Sequence, residues 1–457
     1  MQRSHPELKR TPWKSIGCLP DDQNELQQYI NSAPTPEEKE VRARGACYGD
    51  FMIDRVIKEE RPSVYVGVQD IWGVDYSIDK PWFSKITSVI WTTLDSLPLL
   101  PRAVEVAPRV KNYWVWSSFA ELEMRRLGHG HVKTFHGPVD DKALFRLNDE
   151  ERRALRARSG IENDSFVVLY VFRNQLRKSV PSLLEGYQLW KSRNVGVKSK
   201  LILMTHFGEG WPIMRLAEQY GVNKDDILTV YACRTCRGYE VKNFTEPEAK
   251  CRLCNVEKSQ ITTNVNFGIN ESQLNEVYNL SDVFVSPITS GGQEQALVES
   301  GLTESVVLVT NYSCGEEYCS NCPAYIPLKW AKFTEHGTNF IKASTCPVSI
   351  ADELDRVYKM TPEERRALGK MAREYILDKY SIRTLGRQLE DFLDKCPKID
   401  PKIFDETQEA KNPNAIIPDI EDDKEWVKKI YQDILKMNVD DNDSGLLHWL
   451  NVLSSAK

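Results

Sequence analysis

Short β-rich runs alternate with helical stretches from about residue 63 to residue 395, and this alternation leaves few architectures open. Runs at 63–67, 88–92, 113–117, 132–135, 166–171, 200–204, 283–286 and 306–310 read as strands. Between them, 118–127, 182–192, 211–220 and 271–280 carry helical spacing. A parallel strand must be followed by a crossover, usually a helix, so the pattern predicts an α/β protein. The polar, Arg-rich stretch 149–158 divides the strands into two groups. Two doubly wound domains in series follow, over 1–145 and 146–396, with the ligand expected in the cleft at the carboxyl ends of their strands. Thr361-Pro362-Glu363-Glu364 opens a late helical stretch with an N-cap hydroxyl and a Glu three residues on. A Pro- and acid-rich linker, 397–423, leads to a helical tail, 424–457.

Composition excludes several classes. At 457 residues, 41% hydrophobic and 28% charged, the chain is neither disordered nor a small stapled module. No apolar run reaches the roughly 20 residues of a membrane helix, and the polar start carries no signal-peptide pattern, so a soluble, cytoplasmic protein without a membrane span is expected. A net charge of −6 argues against coating nucleic acid by charge alone.

Cys233-x2-Cys236 and Cys251-x2-Cys254 give four thiolates at the spacing of a closed tetrahedral zinc site. A structural zinc ribbon inserted at 231–262 is expected. Four sulfur ligands leave no open position for catalysis. Cys314, Cys319, Cys322 and Cys346 offer a second, less specific grouping.

Two stretches carry chemistry. Phe172-Arg173-Asn174-Gln175-Leu176-Arg177-Lys178 follows a strand with three cations, which suits a diphosphate. Ser290-Gly291-Gly292-Gln293-Glu294 opens a helix that contains Glu299; a Ser/Gly-rich turn presents free N–H groups to an anion, and Glu299 is placed to accept the hydroxyls of a ribose.

In this order the features resemble those of retaining, nucleotide-sugar-dependent glycosyltransferases of the GT-B fold, especially the large family 4 group. The resemblance covers about residues 60–395. It implies that Arg173 and Lys178 hold the donor diphosphate, with Asn174 beside it, and that Glu299 holds its ribose. Ser290, Gly291, Gly292 and Glu294 would lie near the sugar, with Glu294 among the catalytic residues. Trp116-Ser117-Ser118-Phe119 and Phe135-His136-Gly137-Pro138-Val139-Asp140 are similar to the last strands of the acceptor domain, Arg156-x2-Ser159-Gly160-Ile161 to the interdomain linker, and the helices after Thr361 to a closing pair whose last member returns to the first domain. Three departures stand out. The family's loop has two Glu seven residues apart; counting back from Glu299 reaches Gly291, and Glu294 is the nearer carboxylate. Asp95 stands where the family often has a His, and either orients an acceptor hydroxyl or caps the next turn. No first strand and Gly-rich loop is evident before Cys47.

The resemblance implies transfer with retention and without a required metal. The Asp-x-Asp triplet Asp441-Asn442-Asp443, of the kind that holds a divalent ion in the other major glycosyltransferase fold, lies in the tail, whose spacing also fits calcium poorly because Asn451 replaces the expected Glu. The acceptor is open: a glycan, a protein, or modified nucleobases in DNA served by the ribbon. A non-catalytic binding protein on the same scaffold is the rival from another class. Trp426, Ile430, Tyr431 and Ile434 share a helical face in the tail, suited to a protein partner or to packing back on the enzyme.

Overall fold

Strands form where β-branched and aromatic residues cluster. The computed structural model describes residues 14–406, 422–433 and 439–456. Its first sheet holds four parallel strands, β1 (Val64–Val68), β2 (Thr87–Thr92), β3 (Asn112–Val115) and β4 (Lys133–Thr134), in that order. Both faces are covered, so β2 and β3 are apolar almost throughout, with Val89, Ile90, Tyr113 and Val115 fully buried. Among the described residues, three helices stand ahead of β1, Gln23–Asn31, Pro36–Cys47 and Asp50–Glu60. Helix therefore occupies the region where the resemblance implied a first strand and glycine loop.

The second sheet is larger. It contains β5 (Phe166–Val171), β6 (Ser199–Met204), β7 (Ile227–Cys233), β8 (Tyr239–Asn243), β9 (Glu248–Ala249), β10 (Gln260–Thr262), β11 (Val283–Ser286), β12 (Val306–Thr310) and β13 (Tyr325–Leu328). Six of these run parallel, in the spatial order β13-β12-β11-β5-β6-β7. The chain winds outward from β5 to β7 and then returns to the other side of β5 with β11. That reversal makes the β5/β11 boundary the topological switch point, where the loops on neighbouring strands diverge and leave a crevice. Beyond the sheet, β14 (Trp330–Thr334) and β15 (Ile341–Thr345) form an antiparallel hairpin, which bridges to Leu97 in the loop after β2.

The Arg-rich stretch is the helix Asp149–Arg158, started by a capping box on Asn148. Its arginines close the end of the helix Glu271–Asn279. Arg152 donates to the carbonyls of Asn279 and Ser281, and Arg156 to that of Leu280 and, at 2.8 Å, to Asp282. Cations at carbonyls left without intrahelical partners satisfy both groups. Thr361 caps the helix Pro362–Lys379 with the reciprocal Glu364 bond its sequence predicts. The next helix, Ile382–Lys395, returns to the first sheet, where Leu389 and Phe392 cover Val89, Trp91 and Trp114. The Phe392 ring meets Trp114 edge-on at 4.8 Å.

The chain divides into two compact units, residues 1–54 with 62–397 and residues 55–61 with 398–457. In the second, helices Asp423–Asp433 and Ser444–Ala456 bury Val427 and Leu446. Val427 is covered more fully than Trp426, and Ile434 lies outside the described residues. Asp441 is engaged by Lys424 at 2.9 Å and by Lys428. Among the described residues, no helix is long and apolar enough to cross a membrane.

Candidate functional site

The two loops at the switch point are tied by their backbones, since the Thr289 amide donates to the Arg177 carbonyl at 2.9 Å. Lys178 is 5% exposed, and its ammonium donates to the Glu294 carboxylate. Arg177 donates to the other oxygen of the same carboxylate at 3.0 Å. Glu294 occupies the N-cap position of the helix Gln295–Leu302 but makes no capping bond; its charge is given to the two cations instead. Burial pulls the Lys178 ammonium below its ordinary pKa, and the Glu294 charge opposes that pull.

These groups line one wall of a cavity of about 460 Å3, within the range of small-ligand sites. Arg173 lines it too, half exposed at the mouth, with Nε 3.8 Å from Glu209. Glu299 faces the same space and accepts a hydrogen bond from the Tyr278 hydroxyl at 2.6 Å. Burial pushes its carboxyl up to about 7 despite that bond. The lining also includes Thr263, Asn264, Val265, Gly268, Ile269 and Leu274, a mainly apolar stretch without a charged side chain. One cavity thus brings together cations, carboxylates and a mainly apolar stretch of wall.

Four of the residues expected near the donor do not line this cavity. Asn174 is buried, and its amide is consumed by the chain after β6: Nδ2 donates to the Glu209 and Trp211 carbonyls, and Oδ1 accepts from the Trp211 amide. It braces that loop rather than facing the cavity. Gly210 makes the brace fit, since its φ is +65° and a Cβ there would lie 1.9 Å from the Asn174 carbonyl oxygen. Ser290, Gly291 and Gly292 do not line the cavity. Ser290 and Gly292 instead form a seam with the loop after β2, Ser290 through its hydroxyl and Gly292 against Thr93. A Cβ on Gly292 would come within 2.6 Å of Thr93 Cβ.

Asp95 sits on the first-domain side of this seam. It accepts from Ser96 Oγ at 2.7 Å and from Ser290 Oγ at 3.2 Å. Lys342 of β15, 6% exposed, donates to Ser96 at 2.5 Å and Ser290 at 2.7 Å and lies 3.8 Å from Asp95. The helix that follows, Pro101–Val106, is preceded by Leu100 at its N-cap position, so the carboxylate reaches across the seam rather than capping that helix. Asp95 also acts through space on the Arg177 guanidinium. A second cavity, of about 230 Å3, opens beside it, lined by Asp70, Trp72, Thr93, Asp95, Ser96 and Phe340, among others.

Further contacts hold the seam. Gln293 exchanges two hydrogen bonds with the Gly137 backbone, both 2.8 Å. Glu317 accepts from the Ser118 amide and hydroxyl at 2.7 Å each and meets His136 Nε2 at 2.5 Å. Burial alone would raise the Glu317 carboxyl; its hydrogen bonds and His136 outweigh burial and hold it below its ordinary value.

The cysteine ribbon is assembled from β7, β8, β9 and β10, with β8 and β10 antiparallel to β7. All four Sγ atoms lie within 4.8 Å of one another. Cys233 Sγ is 3.6 Å from Cys254 Sγ, and Cys236 Sγ is 3.8 Å from Cys251 Sγ. Four sulfurs at about 2.3 Å from a tetrahedral zinc stand about 3.8 Å apart, so the set fits zinc and is too open for disulfides. Among the described residues no other group of three or more possible ligands converges. Cys314 and Cys322 are instead buried in the core of the second domain, with Cys319 packed against it.

Arg177, which the resemblance leaves without a role, joins Lys178 on Glu294, whereas Arg173 lies near Glu209. Lys342 and Glu317 went unassigned: Lys342 lies in a strand without pattern, while Glu316-Glu317 opens a helix, a position where acidic residues are ordinary.

No protein-family model matches the chain, and no curated protein matches it by sequence. Solved structures do match. A glycosyltransferase from Rickettsia africae superposes with a TM-score of 0.53 at 10% identity, covering 82% of this chain and 83% of that one. Sucrose-phosphate synthase from Thermosynechococcus elongatus gives 0.53 at 14% identity, covering 85% and 82%. Anabaena HepE in complex with UDP-glucose gives 0.52 at 10% identity, covering 76% and 81%. Two sheets wound in this order, with a crevice at the switch point and a last helix returning to the first sheet, give the chain the GT-B fold of these glycosyltransferases.

Proposed function

We propose that the protein is a retaining glycosyltransferase that moves a sugar from a nucleotide-sugar donor to a hydroxyl acceptor. The observation that carries this reading is the convergence of Lys178 and Arg177 on one carboxylate in the lining of the larger cavity, which Glu299 also lines. A donor diphosphate would replace or share Glu294 as the partner of Arg177 and Lys178, with Arg173 at the mouth, while Glu299 accepts from the ribose hydroxyls. HepE, built on the same fold, is described in complex with UDP-glucose.

The chemistry balances within the site. The bond from the anomeric carbon to the β-phosphate oxygen breaks, and its electron pair stays on the phosphate, whose growing charge is met by Arg177 and Lys178. The acceptor oxygen bonds to the anomeric carbon from the face the diphosphate leaves, and the acceptor proton passes to the departing phosphate oxygen. Asp95 is proposed to orient the acceptor hydroxyl. Its cavity, with two carboxylates, two hydroxyls and the rings of Trp72 and Phe340, suits a neutral polyol such as a glycan. Asp70 and Asp95 would repel a phosphate backbone, which speaks against duplex DNA as the acceptor. Zinc on Cys233, Cys236, Cys251 and Cys254 would be structural.

The test is turnover of a panel of nucleotide sugars with glycan acceptors, with the product anomer read by NMR. Nucleotide release and a product of retained configuration are expected. No release from any donor would favour the binding-protein reading, and an inverted product would remove the retaining assignment.

A further inference from the structure

The ribbon is an insertion, yet its contacts lead into the larger cavity. β10 enters the sheet opposite the first knuckle, with Gln260 in register with Cys233 and Thr262 with Tyr231. Thr262 Oγ1 lies 2.8 Å from Nδ1 of His206, a residue that lines the cavity. From β10 the chain runs directly into the apolar wall. The Thr263 amide donates to the Val230 carbonyl at 3.2 Å, and residues 264–267 close on themselves, with Asn264 Oδ1 accepting from the Asn266 and Phe267 amides at 2.9 Å each.

The first knuckle holds the other side of that turn. Arg237, one residue past Cys236, has a left-handed backbone (φ 59°), and its guanidinium lies 5.2 Å from the centre of the Phe267 ring. Its carbonyl accepts from Gln273 Nε2 at 3.0 Å. Gln273 is also the reciprocal member of the capping box on Asn270, which starts the helix Glu271–Asn279 behind the wall. The knuckle therefore grips both the turn and the helix that carry this mainly apolar stretch of wall. Its conformation depends in turn on holding four sulfurs 3.6–3.8 Å apart in pairs, a spacing that a zinc ion bonded to all four would maintain.

We propose that zinc in the four-cysteine ribbon shapes the nucleoside wall of the donor cavity, through Arg237, Gln273 and Thr262, so that nucleotide affinity depends on metal occupancy. This rests on the donor reading given above. In it Arg237 and Gln273 are positioning residues, acting on the wall rather than on the nucleotide.

The experiment is titration calorimetry with UDP, GDP and ADP as probes on the full chain, with zinc content measured on each sample and circular dichroism reporting the fold. One zinc per chain is expected. Removing it by chelation should weaken the best-bound nucleotide at least tenfold, and returning zinc should restore affinity. Because stripped protein can lose more than the wall, a second arm uses the double variant Arg237→Ala/Gln273→Ala, which keeps all four cysteines. It should hold one zinc, keep its melting temperature within a few degrees, and bind nucleotide about fivefold more weakly, with faster hydrogen exchange at residues 263–269. Unchanged affinity in the folded zinc-free chain and in the double variant, or a chain that takes up no zinc, overturns the proposal. A zinc-loaded chain that binds none of the three nucleotides overturns the donor reading itself.

Discussion

Lys178 and Glu294, 116 residues apart in sequence, meet as a buried ion pair where the loops after β5 and β11 converge. The pair is held in the folded chain before any ligand arrives, so the cation is already oriented when an anion displaces or joins the carboxylate. Removing one partner of a buried pair normally strands the other. Here Arg177 remains on Glu294, so Lys178→Ala should keep the fold, as judged by circular dichroism. Donor turnover should fall by about 100-fold or more, the scale for losing one stabiliser of developing charge. Turnover within a few-fold of the parent would remove Lys178 from the mechanism.

Glu299 sets a pH dependence opposite to that of an ordinary carboxylate. Its folded pKa of about 7 lies above the ordinary 4.5, so the folded chain holds the proton more tightly than the unfolded one. The stability this contributes is fully present below about 4.5 and is lost as pH rises to about 7. Glu299→Gln, which cannot ionise, should therefore be more stable than the parent at pH 8, by on the order of 1–3 kcal/mol and with a higher melting temperature, and close to the parent at pH 5. In the parent, UDP-glucose should bind more tightly as pH passes upward through 7, since the ionised carboxylate is the better acceptor for ribose hydroxyls. Calorimetry at pH 6, 7 and 8 checks this, and the Gln variant should show no such slope.

Glu317 follows the opposite sign. Its carboxyl lies below the ordinary value, so its contribution is present above about 4.5 and is lost as pH falls through the folded value. Glu317→Gln weakens three contacts to the first domain and should cost about 2–3 kcal/mol at pH 7, the scale of hydrogen bonds to a charged group. The loss should shrink below pH 4.5. Denaturant melts at pH 4 and pH 7 read both numbers, and equal losses at the two pH values would contradict the assignment.

Trp72 tests the acceptor side apart from the donor side. It is half exposed and lines the smaller cavity, away from Lys178 and Glu299. Trp72→Ala should lower transfer to glycan acceptors by roughly tenfold while leaving donor hydrolysis by water unchanged. Asp95→Asn should lower transfer further, with nucleotide affinity kept. Equal loss of hydrolysis and transfer in Trp72→Ala would show that this cavity does not select the acceptor.

Gly292 and Thr93 form a tight approach between the domains. Gly292→Ala places a methyl within 2.6 Å of Thr93 Cβ and must move one loop. A cost of about 1–3 kcal/mol is expected. Thr93→Gly should relieve most of it in the double variant, and a melting series over the four combinations measures that coupling.

The alternation of strands and helices was legible because a parallel sheet covered on both faces needs continuous apolar runs, and β5, β11 and β12 have the bounds those runs predict. The hairpin β14–β15 was not, because β14 is almost wholly exposed and the hairpin's partner, Leu97, lies over 240 positions from Ile341. The four cysteines could be read from spacing alone, since zinc ligands recur at fixed intervals. The cation-bearing and Ser/Gly-rich stretches are loops at strand ends, as their composition predicts, but the partners of individual residues in them are not legible. Asn174 was lost to backbone groups of a distant loop, and Ser290 to Lys342 and Asp95. Such exchanges depend on which chain segments meet in space, and local sequence does not record that.

Phe392 covers Trp114 from a helix nearly 280 residues downstream. During synthesis the first sheet must therefore wait, with its tryptophan layer open to water, until the ribosome has made almost the whole of both domains. A truncated product ending before residue 382 would leave the ribosome with Trp91, Trp114 and Phe135 uncovered, and should adhere to chaperones or to its own copies.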